Sequence, residues 1–355
     1  MKNFFKDLHV VELASVLAGP SVGLFFAELG AKVIKIENKT TGGDVTRNWK
    51  LPTEDKNAET SAYFYSVNFY KKHLFLDFEK NKDKNTCLEK IKQADIVIVN
   101  YKKGDDKKLG MDYASLKKIN PKLIYAQISG FGEGDDRLAY DLILQAETGF
   151  MGINGTPESG PVKMPVALID LLAAHHLKEA VLLALIKRMK TGKGSRVSVS
   201  LFDAAVASLV NQSANWLIAG QLPQLSGSLH PNIAPYGEIF ETKDKQQITF
   251  AIGSDKQFYN LCQYLQLKDL PEDKKFYTNQ ARVTNRVTLY SLLVSKISRF
   301  NCEDILGFAA TEQIPCGKIR NLKEVFELKE TKKLLRTIDK KNKLQAVTSV
   351  PFHIS

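Results

Sequence analysis

Apolar residues along the chain fall into two alternating rhythms. Short β-branched runs at Val10 to Leu13, Ala31 to Glu37 (AKVIKIE), Leu74 to Phe78 (LFLDF), Asp95 to Asn100 (DIVIVN) and Leu123 to Ser129 (LIYAQIS) predict strands. Stretches with helical spacing lie between them. One starts at Pro20, carries Val22, Leu24, Phe25, Phe26 and Leu29, and stops at Gly30; another runs from Glu79 to Gln93. This alternation predicts a parallel sheet with crossover helices. A long helical pattern from Ala167 to Lys190 ends at the TGKG turn, and RVSVS with the residues after it predicts a strand and one more helix. Gln221 to Glu238 has no periodicity and is rich in Pro, Gly and Ser, as in a linker or functional loop. A second unit follows, with a strand at Ile248 to Ile252 and helices from about Asp255 and from about Gln280 to Phe300. After IPCGKI the pattern predicts a Lys-rich, exposed helix over KETKKLLRTIDKKNK.

Composition narrows the class. With 355 residues, 44% hydrophobic and 25% charged, the chain is long enough for about two globular domains, and collagen, disordered and disulfide-scaffold readings are excluded. Lys+Arg of 50 against Asp+Glu of 39 leaves +11, a field that favours nucleic acid, a membrane surface or a polyanionic small molecule. Cys87, Cys262, Cys302 and Cys316 lack CxxC spacing, which speaks against zinc or a redox motif and for reduced cytosolic thiols. Asp7 and His9 interrupt the region a signal peptide needs. The longest apolar run, Ala180 to Ile186, is far below a membrane span, so a cytoplasmic protein is expected.

The candidate chemistry is sparse. The first βα turn reads LAGPS and lacks GxGxxG, which disfavours nicotinamide binding; a plain βα turn shaped by Gly19 and Pro20 is the better account. Asp170 interrupts the apolar VALIDLLAA, where a carboxylate needs either donors or a function; helix cap and catalytic group both fit. His175 and His176 follow at spacings that do not face it. Lysine pairs at Lys71 and Lys72, Lys102 and Lys103, and Lys107 and Lys108 lie near strand ends, where they can meet phosphates or form a solvated face. The C-terminal lysines lack the interleaved aromatics of a single-strand nucleic-acid surface.

Taken in order, VVELASVLAGPSVGLFFAELGAKVIKIE, GGDVTR, LFLDF, VIVNYKKG, ISGFGEG, AYDLILQAETGFM, PVALIDLLAA, KTGKGSRVSVSLFDAA and IPCGKIRNLKEVF resemble the class III coenzyme A transferase (CaiB/BaiF) family. That family includes formyl-CoA and carnitinyl-CoA transferases and α-methylacyl-CoA racemases. The resemblance implies an α/β fold with an open, Rossmann-like parallel sheet in a discontinuous large domain, residues 1–222 and 320–355. It also implies a small α+β domain, residues 223–319, and a homodimer of interlocked rings. The tail, which ends in SVPFHIS, is shorter than in larger members.

The resemblance makes Asp170 the nucleophile, carrying an aspartyl-CoA thioester between an acyl-CoA donor and a carboxylic acid acceptor. Tyr140 matches a position that is tyrosine in the formyl-CoA transferases and histidine in the racemases. Tyrosine is a poor base near neutrality, so transferase is favoured over a 2-methylacyl-CoA racemase or isomerase. A catalytically silent CoA-binding or nucleic-acid-binding protein is the remaining alternative. The implied CoA contacts are Leu17, Ala18, Asn38, Leu76, Asp77, Phe78, Asn100, Tyr101, Lys102, Lys108 and Arg137. Leu17 replaces a family glutamine, Asn38 replaces an arginine, and HPNIAPYGE stands near the position of the glycine-rich lid of oxalate-type members. These departures point away from formyl-CoA:oxalate chemistry, towards a less polar or larger acyl group. CoA is expected as substrate only, with no permanently bound cofactor, no metal, no nucleic acid and no membrane.

Overall fold

The computed structural model describes residues 3–339 and 343–355. In chain order the first half comprises strand β1 (His9–Glu12), helix α1 (Ala18–Glu28), β2 (Lys32–Asn38), α2 (Ala62–Asn68), β3 (Lys72–Leu76), α3 (Asn81–Lys92) and β4 (Ile96–Val99). There follow α4 (Asp105–Leu109), α5 (Tyr113–Ile119), β5 (Ile124–Ser129), α6 (Asp141–Glu147), α7 (Phe150–Ile153), the short pair β6 (Gly155–Thr156) and β7 (Gly160–Pro161), and the long α8 (Leu168–Thr191). Then come β8 (Ser195–Ser200), α9 (Leu201–Ala207) and α10 (Val210–Leu217).

The chain divides into two compact units, one of residues 1–151, 163–214 and 333–355, the other of 152–162 and 215–332. The cuts at 214 and 333 stand where the sequence suggested 222 and 320, and a hairpin at 152–162 joins the second unit.

In the first unit six strands form a wholly parallel sheet in the order β3-β2-β1-β4-β5-β8. Strand alternation explains its two buried faces. In β4, Ile96 and Ile98 join Val10, Val22, Phe26, Ala173 and Leu177 on one side, while Val97 and Val99 join Val11, Cys87, Ile91 and Leu116 on the other. Chain order reverses at β1, whose neighbours are β2 and β4, so a crevice opens beyond the carboxyl ends of β1 and β4.

The second unit has an antiparallel three-stranded sheet, β9 (Tyr236–Glu241), β10 (Gln247–Ala251) and β11 (Cys316–Lys318), in the order β11-β10-β9. Helices α11 (Asp255–Tyr264), α12 (Asn279–Thr284), α13 (Arg286–Ile297) and α14 (Cys302–Thr311) cover it around Phe240, Ile248, Phe258, Leu261 and Leu293.

Several expectations change. Helix α1 begins at Ala18 rather than Pro20, so the proline sits inside the first turn, where an absent N–H still breaks no helical bond. The helix expected after β8 breaks into α9 and α10, and the one from about Gln280 breaks at Asn285. Of the expected Lys-rich helix only α16 (Lys329–Lys332) is helical, following a separate α15 (Leu322–Glu327); beyond it the chain forms an antiparallel hairpin, β12 (Leu335–Asp339) and β13 (Leu344–Val347). Residues 340–342 of that segment lie outside the described residues. The hairpin has partners distant in sequence. Glu28, at the end of α1, accepts from Arg336 Nε at 3.1 Å, from Thr348 Oγ1 at 2.7 Å, and from the N–H and hydroxyl of Ser349.

Among the described residues no helix is long and apolar enough to cross a membrane, and no group of three or more His, Cys, Asp or Glu is placed to hold a metal.

Candidate active site

A cavity of about 770 Å³ occupies the crevice at the strand-order reversal. Its walls come from the turn after β1 (Ser15, Leu17, Ala18), the turn after β4 (Asn100, Tyr101, Lys102), the segment before α6 (Arg137, Tyr140) and the first turn of α8 (Asp170). Eight of the thirteen residues singled out in the sequence therefore meet there. The other five do not line it. Asn38 caps the short turn that follows β2 by accepting from Thr40 N–H at 2.9 Å. Leu76 and Asp77 are buried, Asp77 as a turn residue that accepts from Glu79 N–H and pairs with Lys80. Phe78 packs beside the core on the β3 side, and Lys108 is exposed and paired with Asp105 at 3.2 Å.

Asp170 is the third residue of α8 and only 7% exposed. It does not cap the helix. That task falls to Asp141, whose Oδ1 accepts from the N–H groups of Ile169 (2.7 Å) and Asp170 (3.4 Å), while its Oδ2 accepts from Gln145 at 2.6 Å. The Asp170 carboxylate itself meets no hydrogen-bond donor among the described residues. Burial, and secondarily the negative charge of Asp141, push its pKa up to about 7. A carboxylate in this state is poorly solvated and stabilised by few neighbours, hence reactive towards an electrophilic carbonyl.

Tyr140 is 52% exposed and lies against the cavity without burying its ring, so packing does not account for it. Arg137 lies over the Phe131 ring at 3.6 Å and is paired with Asp135 (2.9 Å) and Glu147 (2.8 Å). Lys103 donates to Gly134 O at 2.7 Å, whereas Lys102 and Lys107 reach the cavity with no paired acid among the described residues. The Asn100 amide brackets Ser15, accepting from its N–H at 3.0 Å and donating to its carbonyl at 2.9 Å.

Two features were missed in the sequence. Tyr63 on α2 packs edge-on against Trp49 at 5.1 Å; burial, together with Asp170, Asp141 and Asp44, pushes its phenol up to about 12, so it stays a neutral donor beside the acids. The segment SAYFYSVN carried the signal, an N-cap serine before an aromatic run, with Ser61 accepting from Phe64 N–H.

The second is a buried charge cluster. Lys35 meets Glu12 at 3.0 Å and Asp44 at 3.0 Å, and Lys71 meets Glu12 at 2.8 Å, all four side chains being shielded from solvent. Lys71 is thus neither a phosphate ligand nor part of a solvated face; burial lowers its pKa to about 8. Gly23 makes room for the cluster, since a Cβ there would stand 1.8 Å from Glu12. Next to it, Glu37 grips Arg47 through two hydrogen bonds and is held well below the usual carboxylate range by the Arg47, His73 and Asp44 N–H bonds, which overcome the opposing effect of burial.

The comparisons with known proteins agree with this geometry. Residues 5–355 match the model for CoA-transferase family III. The chain is 38% identical over 325 residues to a succinate–glutarate CoA-transferase of Agrobacterium fabrum (strain C58), covering 90% of this chain and 80% of that protein. It is 33% identical over 334 residues to an acetyl-CoA:oxalate CoA-transferase of Acetobacter aceti, covering 93% and 84%. A crystal structure of a CaiB/BaiF family protein from Brucella suis superposes with a TM-score of 0.88 at 36% identity, covering 100% of this chain and 93% of that one. A parallel sheet whose reversal point holds an unpartnered buried aspartate, matched over nearly the whole chain by such relatives, places this protein in CoA-transferase family III.

Proposed function

We propose that the protein moves CoA between dicarboxylic acids through a covalent intermediate on Asp170. The acceptors in the relatives' names, glutarate and oxalate, support a dicarboxylate. Leu17 and the absent glycine-rich lid favour a chain longer than oxalate, such as a four- or five-carbon diacid. The single observation that carries the mechanism is the buried Asp170 carboxylate, open to the cavity and without a hydrogen-bond donor of its own.

Asp170 Oδ attacks the thioester carbonyl; the C–S bond breaks and CoA leaves as thiolate, giving a mixed anhydride. The thiolate then attacks the Asp170 carbonyl of that anhydride, expelling the donor acid as its carboxylate and leaving an aspartyl-CoA thioester. The acceptor carboxylate repeats these steps in reverse. No proton or electron is gained or lost, so the enzyme's task is to exclude water and stabilise each oxyanion. Lys102 and Lys107 attract the phosphates of CoA, and Arg137, anchored by its two acids, shapes the cavity edge next to Tyr140. A tyrosine at this position, with no histidine lining the cavity among the described residues, disfavours α-proton exchange. We read the enzyme as a cytoplasmic homodimer of interlocked rings, with CoA held by the discontinuous unit.

Mass spectrometry after incubation with succinyl-CoA tests this. The expected result is an adduct of CoA mass on the peptide containing Asp170, absent in Asp170→Ala, which retains CoA binding while losing at least about 10⁴-fold in transfer. Transfer at the wild-type rate by Asp170→Ala would overturn the role.

A further inference from the structure

The turn between β1 and α1 contains a contradiction. Val16 is β-branched, yet its φ is +70°, in the left-handed region. Such a conformation is strained for a β-branched residue and persists only where its surroundings over-determine it. Here they do. The Val16 N–H donates to both carboxylate oxygens of Asp44, at 3.1 and 3.3 Å. Asp44 is itself immobile, because it also accepts from Thr46 N–H at 3.1 Å and Thr46 Oγ1 at 2.8 Å and is paired with Lys35.

The same charge cluster grips the turn at two further backbone atoms. Lys35 donates to Ala14 O at 2.7 Å, upstream of Val16, and Lys71 donates to Pro20 O at 2.8 Å, inside α1. The segment from Ala14 to Pro20 is therefore clamped on either side of Leu17 and Ala18. Both line the cavity with Asp170, as Ser15 and Val16 also do, and the N–H groups of Leu17 and Ala18 donate to no protein acceptor among the described residues. Free donors at the start of an 11-residue helix, opposite a carboxylate that lacks donors of its own, suit an oxyanion that exists only during transfer.

We propose that Asp44 is a positioning residue, which through Val16 holds the free N–H groups of Leu17 and Ala18 towards the carbonyl oxygen that becomes negative when Asp170 attacks. This rests on the covalent role of Asp170. Asp44 touches neither substrate nor Asp170 in the proposal; it acts through the backbone of one strained residue. Four mutually paired buried charges, formally summing to zero, provide a rigid support for it.

The test uses Asp44→Asn, an isostere that leaves Lys35 paired with Glu12, and the double variant Asp44→Asn/Val16→Gly. Single-turnover formation of the Asp170 adduct from succinyl-CoA is followed by mass spectrometry, together with CoA affinity by calorimetry and the melting temperature. Asp44→Asn is expected to slow adduct formation about 100-fold, the scale of a lost or misplaced oxyanion donor, with CoA affinity within about 3-fold of wild type. Glycine adopts φ +70° without strain, so the double variant is expected to recover at least about 10-fold of that loss. A purely structural role would give no such recovery. An Asp44→Asn protein that forms the adduct at the wild-type rate, or a double variant as slow as the single one, overturns the proposal. If wild-type protein forms no adduct on the Asp170 peptide at all, the covalent reading fails instead, and the two failures are distinct.

Discussion

Two groups of buried acids lie close together in this fold and are treated in opposite ways. Glu12, Asp44 and Glu37 are enclosed with Lys35, Lys71 and Arg47. Asp170, also buried, lies near Asp141 and Tyr63 and against an open cavity, with no cationic partner among the described residues. Desolvation acts on both groups; what differs is the supply of counter-charge. Where it is complete, the acids become framework. Where it is withheld, the carboxylate is left in a high-energy state that a substrate can relieve. Burial alone does not make a reactive group, and counter-charge alone does not make a site.

The largest effect expected from breaking this contrast is on stability. Glu12→Ala leaves Lys35 and Lys71 with a single acid between them and should destabilise the fold by about 3–5 kcal/mol. Asp170→Asn should do the reverse at pH 8. The native carboxyl keeps its proton up to about pH 7 while the unfolded one loses it near its ordinary value of 3.8, so wild-type stability falls as pH rises between those limits and the variant escapes that loss. Denaturant melts of both variants at pH 5 and pH 8 check the pair; equal signs of change at pH 8 would mean that the two settings do not differ.

A second, smaller effect concerns pH. Transfer requires ionised Asp170, so kcat/KM should decline as pH falls through about 7. Asp141→Asn keeps an oxygen for the Ile169 and Asp170 N–H groups but removes the neighbouring charge, and the acid limb should move to lower pH. A pH profile with an unmoved limb would show that burial alone sets the titration. The smallest effect is expected at Lys102, exposed and unpaired among the described residues. Lys102→Ala should raise KM for acyl-CoA about 2- to 5-fold at low ionic strength, with the difference fading in added salt.

The two settings were unequally visible in the sequence. Asp170 stood out because one acid interrupted an apolar helix, a signal contained within nine residues. Its surroundings came from ordered family motifs, and the parallel sheet from the periodicity, while the strand order that reverses at β1 came only with the structure. The charged framework left no local trace. Lys35 in KVIKIE reads as an outward-facing strand residue, and Lys71 as half of a surface pair. They are internal because Glu12 lies on the neighbouring strand in register with Lys35, a fact of sheet pairing that no short window contains. The C-terminal hairpin was misread for the same reason: its lysines suggested a helix, while Glu28 and the Tyr70 hydroxyl, which donates to Thr337 O, lie some 270 to 320 residues away along the chain. Asn38, Leu76 and Lys108 were carried over from the family pattern and fall outside this cavity, where local turn bonding and an exposed ion pair occupy them instead.

The Glu28 anchor has a consequence for biosynthesis. The first helix of the large sheet is completed by Thr348 and Ser349, so a nascent chain that has left the ribosome up to the second unit still holds an unsatisfied carboxylate at the end of that helix. That contact of the first helix forms only once Thr348 and Ser349 have been synthesised.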